Sequence, residues 1–225
     1  MRIGGLTPLS ATDYPGELAA VVYCQGCPWR CRYCHNPHLL PRRAAGGIAW
    51  SEVLEFLRRR RGLLDAVVFS GGEPTAQPGL DRAMREARAL GYRIGLHSAG
   101  IYPRRFAEVL PLVDWVGFDV KAPFDATYER VTGVRASGAA ALESGRRLLA
   151  SGVDYEFRTT WHAGFLSTAE LERLTQNLHE LGVRRYALQE FRARGCLAFR
   201  PEGNAVAADL DALARRFPQF CVRRA

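Results

Sequence analysis

The sequence predicts an α/β protein, an open and partial (β/α)6 barrel. Three observations predict it. Short apolar runs alternate along the chain with longer amphipathic stretches. The residues with unusual chemistry fall just after the short runs. The 225 residues are enough for one domain with a sizeable core. Strands separated by helical patterns imply right-handed βαβ units and a parallel sheet. Six such units fall short of the eight that close a TIM barrel, so this TIM-type barrel is expected to stay open.

The elements follow in order. "LAAVVYC" at 18–24 is an apolar run ending in a cysteine and reads as the first strand. The helix near 50–61 ends in "RRRR" at 58–61, where cations suit the carboxyl end of the helix dipole. "DAVVFSG" at 65–71 is the second strand and 79–90 the helix that returns from it. "YRIGLHS" at 92–98 and a helix near 103–110 form the next pair, then "DWVGFDVK" at 114–121 and a helix at 138–151. "DYEFRTTW" at 154–161 leads into a helix at 167–181, and "RRYALQEF" at 184–191 is the sixth strand. A last helix spans about 206–217. No linker or low-complexity tract interrupts the chain. It reads as one domain over 1–225, with a core from about 15 to 195 and a helix and tail at 196–225.

Composition narrows the function classes. Hydrophobic residues make up 48% and charged residues 24%, ordinary for a soluble globular protein. No apolar run approaches the ~20 residues of a membrane span. "MRIGGLTPLSATDYPG" lacks the basic and apolar regions of a signal peptide, so a cytoplasmic location is expected. In that reducing compartment clustered cysteines more often bind metal or do chemistry than form disulfides. The net charge of +8 comes almost wholly from arginine, Lys121 being the one lysine. No basic stretch is interleaved with aromatics, so nucleic-acid binding is not expected.

Chemistry gathers at the strand ends. A cysteine loop follows the first strand, "SGGEP" (70–74) the second, and "HSAG" (97–100) the third. "DVK" (119–121) ends the fourth, while "RTTWH" (158–162) and "LQEF" (188–191) close the last two. Ligand sites of parallel α/β sheets form at the carboxyl ends of the strands, so these scattered motifs are expected to share one mouth.

The loop "CQGCPWRCRYC" holds Cys24, Cys27, Cys31 and Cys34. Two metal readings compete. Four thiolates make a structural zinc site, although the spacing is compressed for one. Alternatively, the inner three form Cys-x3-Cys-x2-Cys and hold three irons of a [4Fe–4S] cluster, leaving one iron open. An open position is what a catalytic metal needs.

The inner array, with Tyr33 just before its last cysteine, resembles the signature of the radical S-adenosylmethionine (SAM) superfamily, and "GGEP" resembles that superfamily's second motif. "DYPG" (13–16), "QGCP" (25–28) and "CHNP" (34–37) resemble glycyl-radical-enzyme activating enzymes, most of all the activating protein of anaerobic ribonucleoside-triphosphate reductase. The superfamily likeness covers roughly residues 15–195 and the narrower one mainly the first forty.

The resemblance implies a [4Fe–4S] cluster on Cys27, Cys31 and Cys34, with SAM on the open iron. Cys24 would then be a small buried hydrophobe, and Cys196 and Cys221 structural. Gly71 and Gly72 would offer carbonyls to the SAM ammonium. Glu73 would orient that turn or help hold the ammonium, and Pro74 would stiffen its exit. Tyr33, Ser98, Arg158 and Gln189 are the other expected cofactor contacts, Arg158 to the SAM carboxylate and Gln189 to the adenosine. Asp119 and Lys121 would act at the reacting centre, on SAM or on the substrate backbone. His162 would lie near the mouth. His97 stands where some relatives carry an acid that helps bind a monovalent cation.

The implied reaction is one-electron cleavage of SAM and hydrogen abstraction from a glycine of the reductase, with flavodoxin or a ferredoxin-type protein as electron donor. Two alternatives stay open. One is a radical SAM enzyme acting on another glycyl radical enzyme, of the pyruvate formate-lyase type, or on a small molecule such as a deazapurine precursor. The other is a zinc-bound structural or nucleic-acid-binding module.

Overall fold

The computed structural model describes residues 1–43, 46–196 and 209–224. Eight strands form one sheet among them, in the order of the chain: β1 (Ile3–Ser10), β2 (Ala19–Cys24), β3 (Ala66–Gly71), β4 (Arg93–Ser98), β5 (Trp115–Asp119), β6 (Asp154–Trp161), β7 (Arg185–Glu190) and β8 (Gln219–Arg223). Strands β2 to β7 are the six predicted ones, and every pairing among them is parallel. β1 pairs antiparallel with β2, and β8 parallel with β7. β1 and β8 lie at opposite ends of the strand order, so the barrel is open.

Seven α-helices accompany the sheet among the described residues: α1 (Trp50–Arg59), α2 (Leu80–Ala89), α3 (Pro103–Val109), α4 (Ala126–Thr132), α5 (Ser137–Ser151), α6 (Thr168–Glu180) and α7 (Leu210–Arg216). Asp125 starts α4 by accepting from the Thr127 backbone N–H at 2.7 Å. Ser167 and Glu170 form a capping box at the start of α6. The expected last helix, 206–217, is α7, with 206–208 outside the described residues.

Three elements were not expected. β1 reads "IGGLTPLS", whose glycines and proline hide a strand from propensity, and Pro8 is tolerated because the strand is an edge. β8, expected as tail, is a five-residue strand. α4 is seven residues, too short for a clear helical period.

Strands β2 and β3 are buried on both faces, as parallel strands under helices are. Ala20, Val22, Val67 and Phe69 join the main core with Val53 and Leu57 of α1 and Met84 of α2. The alternate residues Ala19, Val21, Ala66 and Val68 meet Trp115 and Tyr14 in a separate apolar cluster. Tyr14 comes from the β1–β2 connection and stacks on Trp115 with ring centroids 5.2 Å apart. The segment "DYPG" thus supplies a plug for the sheet's second face.

Candidate active site

The cysteine loop starts where β2 ends, and backbone hydrogen bonds hold it on three sides. Gly26 N–H donates to Leu39 O at 2.7 Å and Cys27 N–H to Leu40 O at 3.1 Å. Arg30 N–H reaches Thr132 O at 2.8 Å, which docks the loop on the end of α4. Buried Gln25 ties its amide to the carbonyls of His38 and Pro41.

The third side is the turn after β3. Gly72 N–H donates to Cys24 O at 2.9 Å and Glu73 N–H to Gly26 O at 3.0 Å. Gly71 has φ +106, and a Cβ there would stand 2.5 Å from Cys24 N. One on Gly72 would stand 2.5 Å from Gly26 O. Both glycines are therefore required by the close approach of two protein loops.

Cys27, Tyr33, Cys31, Cys34, Gly71, Gly72, Ser98, Asp119, Lys121, Arg158 and Gln189 all line one cavity of about 940 Å³. That volume is within the range of cofactor sites. Glu73 and Pro74 are buried behind the wall. Glu73 Oε1 accepts from Ser98 Oγ at 2.8 Å and from Thr75, while Oε2 accepts from Ala99 N at 3.2 Å. Its place is between the β3 and β4 turns. Burial raises its pKa despite these hydrogen bonds.

Charge concentrates on the opposite wall. Asp119 Oδ1 lies 2.9 Å from Arg158 Nη2, and Oδ2 lies 3.2 Å from Lys121 Nζ. Burial alone would push the Asp119 carboxyl up, but Arg158 and Lys121 together hold it well below the usual carboxylate range. Burial likewise opposes the Lys121 charge, and Asp119 reverses that effect. The Arg158 guanidinium lies over Gly117, where any Cβ would clash at 2.7 Å.

His97 completes this wall. Its Nε2–H donates to Asp13 O at 2.7 Å, leaving Nδ1 to accept from Ser70 Oγ at 3.2 Å. Burial first, then the Arg158 charge, lower its pKa to about 4, so the ring is neutral near pH 7. His162 is not part of the cavity lining. Its Nδ1 accepts from Gly164 N, and its ring packs against Phe165 and Phe191.

Cys24 is fully buried and does not line the cavity. Cys221 is exposed on β8, and Cys196 is buried with its thiol 3.6 Å from Arg32 O. Thr12, Asp13, Asn36, Glu190, Arg192, Arg194 and Arg223 also line the cavity, and residue-by-residue reading did not pick them out. The "DYPG" and "CHNP" motifs were the available signal for Asp13 and Asn36.

The donor set fits an iron–sulfur cluster. Burial pushes the Cys27 thiol up to about 12 and Cys31 to about 11, and raises Cys34 as well. The positive Lys121 acts in the opposite sense on Cys31 and Cys34. A bound cation deprotonates such thiols outright. Among the described residues no three His, Cys, Asp or Glu side chains converge on one ion, and thiolates on separate irons need not. The buried Tyr33 hydroxyl has no hydrogen-bond partner among the described residues, an orphan donor in a residue of the cavity wall. Cys27, Cys31 and Cys34 would hold the cluster.

Comparison with known proteins agrees. Residues 21–166 match the family model of the Radical SAM superfamily. A putative glycyl-radical enzyme activating enzyme of Methanocaldococcus jannaschii is 28% identical over 199 residues, covering 84% of this chain and 79% of the relative. A pyruvate formate-lyase-activating enzyme of Clostridium pasteurianum is 32% identical over 59% of this chain and 57% of its own. In structure, Streptococcus suis SuiB bound to S-adenosylmethionine superposes with a TM-score of 0.70 at 15% identity, over 91% of this chain and 49% of that one. QueE from Escherichia coli gives 0.59 at 15% identity, over 99% and 93%. A family match over well more than half of the chain, joined to the cysteine loop and its cavity, means that this protein belongs to the radical SAM superfamily, enzymes that use a [4Fe–4S] cluster and S-adenosylmethionine.

Proposed function

We propose that this enzyme installs a glycyl radical in a partner protein, the anaerobic ribonucleoside-triphosphate reductase. The likeness to a putative glycyl-radical enzyme activating enzyme over 84% of the chain carries the reading. The large cavity within an unclosed barrel supports it, because a loop of a partner protein must reach the reacting centre.

When bound, the cluster and SAM supply one-electron cleavage of the sulfonium and a carbon-centred radical that abstracts hydrogen. The chain's residues bind, orient and exclude water. Lys121 and Arg158, neutralised in part by Asp119, present a net positive wall to the SAM carboxylate or the substrate backbone. Gly71 and Gly72 offer the edge of the β3 turn to the SAM ammonium, and Glu73 fixes that turn to Ser98. Tyr33 and Gln189 frame the adenosine. Tyr33 is held by its stack on Phe165, with centroids 4.3 Å apart.

The electron donor in this reading is a flavodoxin or a ferredoxin-type protein, and the setting is the cytoplasm, with residues 1–225 acting as one domain. No helix among the described residues is long and apolar enough to cross a membrane. The test is electron paramagnetic resonance of reductase incubated with loaded enzyme, SAM and reductant. A glycyl radical doublet is expected, and its absence with full cluster occupancy overturns the assignment. The similarity to a pyruvate formate-lyase-activating enzyme favours a second reading, activation of pyruvate formate-lyase. The same assay with that substrate separates the two.

A further inference from the structure

A second, smaller cavity of about 290 Å³ backs onto the cysteine loop. Gly26, Cys27 and Pro28 form one wall, and Arg2, Arg42 and Arg105 ring it with Gln77 and Tyr102. Cys27 is the one described residue common to this cavity and the active-site mouth. It stands as a partition between them.

The small cavity is strongly positive. Arg2, Arg42 and Arg105 are all exposed, and none has an ion-pair partner among the described residues. Arg2 Nη1 donates to Arg42 O at 2.7 Å, and Arg105 reaches the carbonyls of Thr75 and Ala76. Arg105 also lies over the Tyr102 ring, 5.4 Å from its centroid. The described residues lining the cavity include no acid. The frame is tied to the cysteine loop: Arg2 N–H donates to Gln77 Oε1 at 3.0 Å, and the Gln77 amide donates to Gln25 O. Three cations held around one hollow, with no counter-charge among the described residues, set up a local positive potential that attracts anions.

We infer that this cavity receives carboxylate side chains of an acidic one-electron carrier protein and is the face by which electrons reach the cluster. The inference rests on the reading of Cys27, Cys31 and Cys34 as cluster ligands. The mouth is the place for SAM and substrate, so a large electron donor needs another approach. The wall that Cys27 shares offers the short one. The hollow is sized for side chains, and its arginines are exposed, which suits a protein surface over an enclosed small ligand. The donor's reduced centre gives up one electron, and the chain's cluster is reduced by one. No atom crosses the interface.

The test uses loaded enzyme and flavodoxin carrying its flavin. Binding is measured by titration calorimetry for the wild type, for Arg42→Glu with Arg105→Glu, and for the milder Arg42→Gln with Arg105→Gln. A control, Arg58→Glu with Arg59→Glu on α1, makes the same change in net charge elsewhere. Stopped-flow absorbance gives the rate of cluster reduction by reduced flavodoxin, divided by the rate with dithionite, which needs no docking. The inference expects the Arg42/Arg105 charge reversal to weaken flavodoxin binding at least tenfold and lower that ratio similarly. The glutamine pair should fall between, and the control should stay within twofold of wild type. The salt dependence of binding should flatten in the charge-reversed pair. Equal binding and equal ratios in all proteins overturn the docking site. So does saturable binding of inorganic phosphate lost in the Arg42/Arg105 variants while flavodoxin binding is unchanged, which assigns the hollow to a phosphate ligand. Iron content and dithionite reduction test the cluster reading separately, and failure to form a glycyl radical leaves the binding result standing.

Discussion

Arg158 Nη2 lies 2.9 Å from Asp119 Oδ1, an ion pair that joins adjacent strands β5 and β6 in the wall of the mouth. Lys121 shares the same carboxylate. Asp119→Asn leaves two cations facing each other in a partly buried site. Breaking such a pair costs about 3 kcal/mol. Urea denaturation of the variant at pH 7 is expected to show a loss of that order, with weaker SAM binding. The folded-state pKa of Asp119 is depressed, so its stabilisation is present above the unfolded value near ~4 and is lost as pH falls below it. The gap between wild type and variant should therefore narrow below about pH 4.

His97 gives the opposite end of the acid range. Its ring is buried neutral with a pKa of about 4, against ~6.5 when unfolded. Between those values the unfolded chain binds more protons, so stability falls as pH drops, by at most about 1.4 kcal/mol per pH unit. Denaturation midpoints at pH 7 and pH 5 should separate less in His97→Gln than in the wild type.

Cys24 and Cys31 should part company in metal content. Cys24→Ala is expected to keep about four irons per chain and the brown absorption near ~400 nm, because its side chain is outside the cavity. It should lose about 1 kcal/mol to the small void. Cys31→Ala is expected to lose the iron. Zinc retained by wild type and lost with Cys24 would overturn the cluster assignment.

Gly72→Ala is expected to destabilise the protein by about 2 kcal/mol, since its Cβ must displace the Gly26 carbonyl 2.5 Å away. Iron content should drop with it, because Gly26 adjoins Cys27. Gly71→Ala combines a positive φ with a clash against the Cys24 backbone and should be worse. Parallel denaturation and iron assays check both.

The parallel strands were legible because each is a short apolar run closed by chemically distinctive residues. "AVVFSG" and "RIGLHS" announce a strand and its exit together. β1 was not, since Gly4, Gly5 and Pro8 carry no strand signal and its pairing depends on β2. Tyr14 was also invisible as a core residue. A single aromatic in a connection has no periodicity, and its stacking partner Trp115 lies about a hundred residues away in sequence. The site residues were legible as a set because parallel topology sends all strand ends to one side. Which atom faces the cavity was not. Glu73 lies in the expected motif, yet its carboxylate turns toward Ser98 and Ala99.

The backbone ties of the cysteine loop to Leu39, Leu40, Thr132 and the β3 turn all run between protein donors and protein acceptors. The path of the loop is thus fixed by the polypeptide's own hydrogen bonds. A zinc finger spends its metal-binding free energy on folding the chain, whereas here protein hydrogen bonds carry part of the cost of ordering the loop. Oxidative loss of the cluster should leave an ordered apoprotein, ready for reloading, so that oxygen switches this enzyme off without condemning the polypeptide to turnover.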